Sequence, residues 1–255
     1  VNPAHRQLSH NGRFDWGPSG AAALAPASDV AVVVDVLSFT TTLSVALDRG
    51  THVIPWHSRD ETARTLARSQ DASLAVGRSV ARAGEISLSP ATLRMGQAPA
   101  RLVLPSPNGS TIASALSTET TVCVGASLRN AAAVASWISH TVGPNAVVSV
   151  VAAGERWPDG ELRPAVEDLW GAGYVLAELA LRDPARSFSP EARVAIDAWT
   201  AVSSAVHDRL RQCASGQELI DIGFAADVDI AAEVDGSRTV PVLRNGCFTD
   251  EAVLA

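Results

Sequence analysis

Residues 30–47 read VAVVVDVLSFTTTLSVAL, and this stretch decides the fold. The β-branched run Val32-Val33-Val34 has the character of a strand buried on both faces, and it stops at a lone acid, Asp35. Three hydroxyl residues, Thr40, Thr41 and Thr42, then open an apolar pattern of helical period. A buried strand that carries a carboxylate to its C-terminal tip, beside hydroxyls at a helix start, is how open α/β sheets build ligand sites. The layout suits an anion held next to an acid that binds a metal or acts as a nucleophile.

Working outward, the alternation continues. Short Val-rich runs at 52–55, 74–76, 101–104, 121–124 and 146–152 predict strands to follow the first, at 30–37. Helical patterns at 41–48, 61–69, 111–116, 130–139 and 166–181 lie between them. This order implies βαβ crossovers and an α/β fold with a largely parallel or mixed sheet. From 190 to 229 the pattern is mostly helical, and 239–243 reads as a last strand before an Asn245-Gly246 turn. One α/β domain over 1–255 with a helical C-terminal portion is expected, two closely packed lobes being the alternative.

Composition excludes several functions. The chain of 255 residues is 47% hydrophobic and 18% charged, as in ordinary globular proteins, and its formal charge of −7 argues against nucleic-acid binding. All twenty basic residues are arginine. Without lysine there is no Schiff-base chemistry and no P-loop cation, whereas the arginine fork suits phosphate or sulfonate oxygens. Cys123, Cys213 and Cys247 lack any C-x-x-C spacing and fit reduced thiols of a cytoplasmic protein. No run is long enough for a membrane span, and residues 1–17 lack the apolar core of a signal peptide. The six histidines show no ligand spacing, and Gly171-Ala172-Gly173 falls inside a helical pattern, where it signals close packing rather than a dinucleotide loop.

Three strand-to-helix turns share a polar character: Asp35 with Ser38 and Thr40–Thr42, then Ser106-Pro107-Asn108-Gly109-Ser110, then Ser127-Leu128-Arg129-Asn130. In a parallel sheet all three emerge at one edge, where hydroxyls and free N–H groups can cradle a phosphate; the plainer account is helix capping. Asn108-Gly109 stands between strand and helix, so its glycine would let backbone approach an oxyanion closely. A fourth turn leads through Gly154-Glu155-Arg156 to Glu167 and Asp168 at a helix start. Those acids either complement the helix dipole or join Asp35 as oxygen ligands of Mg²⁺, with Arg156 as an anion clamp beside them.

At these residues the sequence resembles the 2-phosphosulfolactate phosphatase family. The resemblance runs in order through Phe14-Asp15-Trp16-Gly17, Val34-Asp35-Val36-Leu37 with Thr40-Thr41-Thr42, Asn108-Gly109-Ser110, and Gly125 to Ala131. It continues through Ala153-Gly154 and Glu167-Asp168-Leu169-Trp170-Gly171-Ala172-Gly173. It implies a three-layer α/β/α fold and a Mg²⁺-dependent phosphatase that forms 3-sulfolactate on a route to coenzyme M. Asp35, Glu167 and Asp168 become the catalytic and metal-binding acids; Thr40, Thr41, Thr42, Asn108, Gly109 and Ser110 become the oxyanion contacts.

The chain departs from the family pattern at four places. Ser38 stands where arginine is usual, Gly77-Arg78 replaces Gly-Glu, Leu88-Ser89-Pro90 replaces Gly-Asn-Ser-Pro, and Ser106-Pro107 replaces Thr-Thr. A haloacid-dehalogenase-type nucleophile needs a second Asp where Leu37 stands, which favours Asp35 as a metal ligand with an activated water. The expected activity is hydrolysis of a small, anionic phosphorylated metabolite, with neither nucleic acid nor membrane as partner and a homodimer left open. The alternative is a catalytically weakened relative that binds an anionic metabolite or partner without turnover.

Overall fold

A computed structural model of the chain describes residues 2–82, 84–116 and 121–252. Its strands are β1 (Gly12–Trp16), β2 (Val30–Val34), β3 (His52–Trp56), β4 (Ser73–Leu74), β5 (Arg101–Pro105), β6 (Val122–Ala126), β7 (Val148–Ala152), the short β8 (Glu155–Arg156) and β9 (Leu162–Arg163), β10 (Pro241–Arg244) and β11 (Cys247–Asp250). The helices that matter for the site are α1 (Gly17–Leu24), α2 (Phe39–Asp48), α3 (Glu61–Ser69), α4 (Pro90–Met95), α5 (Gly109–Leu116), α6 (Ala131–Trp137), α7 (Val166–Arg182), α8 (Pro190–Val202), α9 (Val206–Gln212), α10 (Ala214–Asp221) and α11 (Ala225–Ala231). The result is an α/β fold with a mostly parallel central sheet, helices on both sides and a helical segment late in the chain.

The sheet runs β1-β7-β2-β6-β10-β11-β3-β5-β4. β1, β7, β2 and β6 are mutually parallel, as are β3, β5 and β4, but three successive antiparallel pairings through the β10–β11 hairpin separate the blocks. The two parallel blocks therefore point in opposite senses, and the common edge expected from the sequence does not arise from strand direction alone. What reunites the strand ends is the wrapping of both blocks around α2 and α5. Ala31, Val33 and Val151 of one block share a core with Val53, Leu102 and Leu104 of the other, with Phe39, Leu43 and Ile112 between them.

The alternate residues of β2, Val30, Val32 and Val34, face the opposite way, onto Trp137, Val175, Leu179 and Trp199 of α6, α7 and α8. Every residue of β2 is buried, which is why it reads as an unbroken apolar run rather than an alternating one. Ile54 and Val103 point to a third, smaller cluster against α3.

Some boundaries differ from the sequence expectation. The first strand ends at Val34 because the Val36 N–H donates to Asp168 Oδ1 instead of a neighbouring strand. The 239–243 strand is one arm of a hairpin whose Asn245 and Gly246 both have positive φ, as a two-residue turn between twisted strands requires. β1 was not foreseen: a half-polar Gly-Arg-Phe-Asp-Trp sequence pairs in register with β7 from Gly12↔Val148 to Trp16↔Ala152. Among the described residues no helix is long and apolar enough to cross a membrane.

Gly171 and Gly173 are places where the fold needs glycine for close approach. A Cβ at Gly171 would stand 2.7 Å from Val36 Cγ2, and one at Gly173 would stand 1.9 Å from the Ala195 carbonyl oxygen. They let α7 settle on the tip of β2 and against α8, as the close-packing reading anticipated. Gly173→Ala is expected to force α7 and α8 apart and to cost about 3 kcal/mol, read as a lower urea midpoint at unchanged m value.

Candidate functional site

The site grows from the tip of β2. Asp35 is 6% exposed, and its carboxylate is held by two backbone donors: Phe39 N–H to Oδ1 at 3.0 Å and Gly109 N–H to Oδ2 at 3.1 Å. The first comes from the start of α2, the second from the start of α5 in the opposed block. A Cβ on Gly109 would lie 2.6 Å from Asp35 Oδ2 and 2.5 Å from the Phe39 ring, so only glycine admits this approach. Burial is the main influence on Asp35 and pushes its pKa up to about 6; the two N–H groups and Arg78 pull the other way, and Glu167 adds to the rise.

Behind it, Asp168 ties α7 to the loops. Its Oδ1 accepts from Val36 N–H at 2.7 Å and its Oδ2 from Gly154 N–H at 2.8 Å. Burial first, then the charges of Asp35 and Glu167, raise its pKa well above the ordinary carboxylate value. Glu167 is 2% exposed and lies within hydrogen-bonding reach of the Cys213 thiol, which burial pushes up to about 12. Glu155, on β8, accepts from Asn108 Nδ2 at 2.9 Å; burial, then Asp35 and Glu167, raise it to about 7.

Asp35, Asn108 and Glu155 line one cavity of about 230 Å³, walled by Ser38, Ser106 and the α10 side chains Glu218 and Leu219. Two arginines reach the same cavity, Arg59 and Arg78. Arg78 Nη2 donates to Ser38 Oγ at 2.5 Å and to the Leu88 carbonyl at 2.9 Å, and its Nε faces Asp227 Oδ2 at 3.3 Å. Positions 38 and 78, both departures from the family pattern, are thus in contact, and the cation absent from one is present at the other.

The remaining sequence candidates have other surroundings. Thr40 Oγ1 exchanges hydrogen bonds with the Asp35 backbone, Thr42 Oγ1 donates to Leu88 O, and Ser110 Oγ donates to Leu104 O. Thr41 is fully buried, and its hydroxyl has no hydrogen-bond partner among the described residues. The hydroxyls of Thr40, Thr42 and Ser110 brace the loops, and none of the four residues lines the cavity. Gly109 N–H is spent on Asp35. Arg156 is exposed and donates to the Gly160 carbonyl, so the structure does not bring it to Asp35. In the third turn, Asn130 caps Ser127 N–H and Arg129 pairs with Asp48 and Glu233 away from the cavity. Glu155 and Arg59 were missed; Glu155 carried a signal, standing directly after a strand and Gly154.

The family model described as 2-phosphosulpholactate phosphatase matches residues 21–246. The chain belongs to that family. Probable 2-phosphosulfolactate phosphatases resemble it along most of their length. That of Carboxydothermus hydrogenoformans is 32% identical over 86% of this chain and 88% of its own. That of Thermus thermophilus is 31% identical over 85% and 88%, and that of Thermotoga petrophila 28% over 88% and 95%. Family membership thus spans both sheet blocks and the cavity between them.

The raised pKa of Glu155 fixes the sign of a pH effect. Near pH 4 the carboxyl is protonated in both folded and unfolded chains; as pH rises through 7 the unfolded chain releases the proton first, and stability falls. Between pH 5 and 8 the wild type is expected to lose about 2 kcal/mol relative to Glu155→Gln, after allowance for partial solvent access. Urea titrations at both pH values measure it.

Proposed function

We propose that the chain is a Mg²⁺-dependent phosphatase that hydrolyses a small acidic phosphomonoester of the 2-phosphosulfolactate type. The observation that carries this reading is that Asp35 and Glu155 line a cavity of about 230 Å³, with the buried acids Glu167 and Asp168 close enough to bear on their charge, within a fold of this family. A cavity of that size lies below the range typical of drug-sized ligands and suits a compact metabolite.

The donor set fits Mg²⁺ in chemistry. Burial first, and then the charges of neighbouring acids, raise the proton affinity of Asp35, Glu155 and Asp168, so a divalent cation among these hard oxygen donors would be strongly favoured. Among the described residues no three acid, imidazole or thiol groups converge as a preformed cage. Mg²⁺ does not demand one, because it commonly takes one or two carboxylates and completes its shell with water and phosphate oxygens. Asp35 and Glu167 would hold it, and when bound it neutralises phosphate charge and lowers the pKa of a coordinated water.

The protein's own groups do the rest. The Phe39 and Gly109 N–H groups fix the Asp35 carboxylate in one orientation, so its remaining lone pairs face the cavity without reorganisation. Asp168 holds the loops after β2 and β7 together and so positions Glu167. Glu155, half protonated near neutrality and steadied by Asn108 Nδ2, can pass its carboxyl proton to the leaving alkoxide oxygen.

Asp35→Asn is expected to lower phosphate release by at least about a hundredfold while circular dichroism stays unchanged. Retained activity would falsify the assignment. Mg²⁺ is expected to raise Tm by several degrees more at pH 8 than at pH 5.5, where protonated acids no longer attract it, and EDTA should reverse the shift. Stabilisation by an anionic metabolite with no turnover of any phosphoester would favour the alternative, a binding protein.

A further inference from the structure

Arg59 and Arg78 form a pair that the phosphatase reading does not use. Both line the cavity that Asp35 and Glu155 line. Arg78 is held on three sides: Asp227 at Nε, Ser38 and Leu88 at Nη2, and the Phe224 ring 5.6 Å from its guanidinium carbon. Its Nη1 has no partner among the described residues. Arg59 has neither a carboxylate nor a hydrogen-bond acceptor among them, and its Nη1 lies beside Gly77, next to Arg78. Burial first, then the charge of Arg78, lowers the pKa of Arg59, so the two cations repel each other.

The Arg59 guanidinium and the remaining Nη1 of Arg78 invite an anion that both can contact. The acids and the arginines share one cavity, and Asp35 already feels the charge of Arg78. Depth separates Asp35 from Arg59. Asp35 is buried at the floor, while Arg59 is an exposed residue at the mouth. A phosphoryl group that reacts beside Asp35 must lie at the floor, and the far end of the same molecule then reaches the arginines.

We infer that Arg59 and Arg78 bind the second acidic group of the substrate, a carboxylate or sulfonate on the carbon skeleton that carries the phosphate. These two side chains would then be the source of the preference for acidic over neutral phosphomonoesters that the proposed function requires. Arg59 is the specificity-determining member, because Arg78 also holds Ser38 and Leu88. This rests on the phosphatase reading for its turnover test, though not for its binding test.

The matched probes are 2-phosphoglycerate and glycerol 2-phosphate, which differ by a carboxylate in place of a hydroxymethyl group. With Mg²⁺ present, the wild type is expected to prefer the acid in kcat/KM by at least tenfold. Arg59→Gln should bring that ratio close to one, mainly through KM, and Arg59→Lys should fall between. An equal loss on both esters would mean that Arg59 grips the phosphate, and a wild-type ratio near one would mean that nothing reads the acid; either overturns the inference. If the wild type hydrolyses neither ester, the phosphatase reading fails and thermal shift decides this one. 2-Phosphoglycerate must then raise the Tm of the wild type more than that of Arg59→Gln, and equal shifts, or none, overturn it.

Discussion

The Asp35 carboxylate fastens the two halves of the sheet. One oxygen is held by the helix that follows its own strand, and the other by the helix that follows β5, in a block that runs the opposite way. Hydrogen bonds to a charged group contribute roughly 1.5–3 kcal/mol each, yet burial and neighbouring acids still prevail. A shift to about 6 disfavours the ionised form by roughly 3 kcal/mol. The interaction that joins the halves therefore also holds a carboxylate close to protonation at the floor of the cavity. Gly109 is the sterically necessary partner, because any side chain there would displace Asp35 or Phe39.

The lack of lysine acquires a structural meaning at Arg129. Its side chain is 2% exposed, and its guanidinium meets Ser44 Oγ at Nε, Asp48 at Nη2 and Glu233 at Nη1. A lysine ammonium, a single point of charge, could not reach these partners in one plane. Arg186 does similar work near β1, donating to the carbonyls of Asn11, Ala146 and Pro144. Arginine here is a material of the interior as well as of the binding cavity.

Much of this was legible in the sequence. The Val-rich runs announced buried strands, Asp35 announced the strand tip, and Glu167-Asp168 with Gly171 and Gly173 announced a helix pressed against it. What stayed hidden depends on contacts between distant residues. Strand direction across the sheet is set by the β10–β11 hairpin, whose effect on β5 no local pattern records. Thr40, Thr42 and Ser110 looked like ligand hydroxyls because a side chain that braces a loop and one that binds an anion read alike. Arg59 had no motif around it, and its interest comes from standing beside Arg78 with no acceptor of its own among the described residues.

The β10–β11 hairpin follows every other strand in the chain, yet it is the seam that joins the two parallel blocks. A ribosome releases both blocks before it releases the strands that connect them. The blocks must therefore wait, each with one edge unpaired, until residues 241–250 emerge to close the sheet. Synthesis thus orders assembly: a nascent chain can hold Asp35 on its strand well before it holds a continuous sheet.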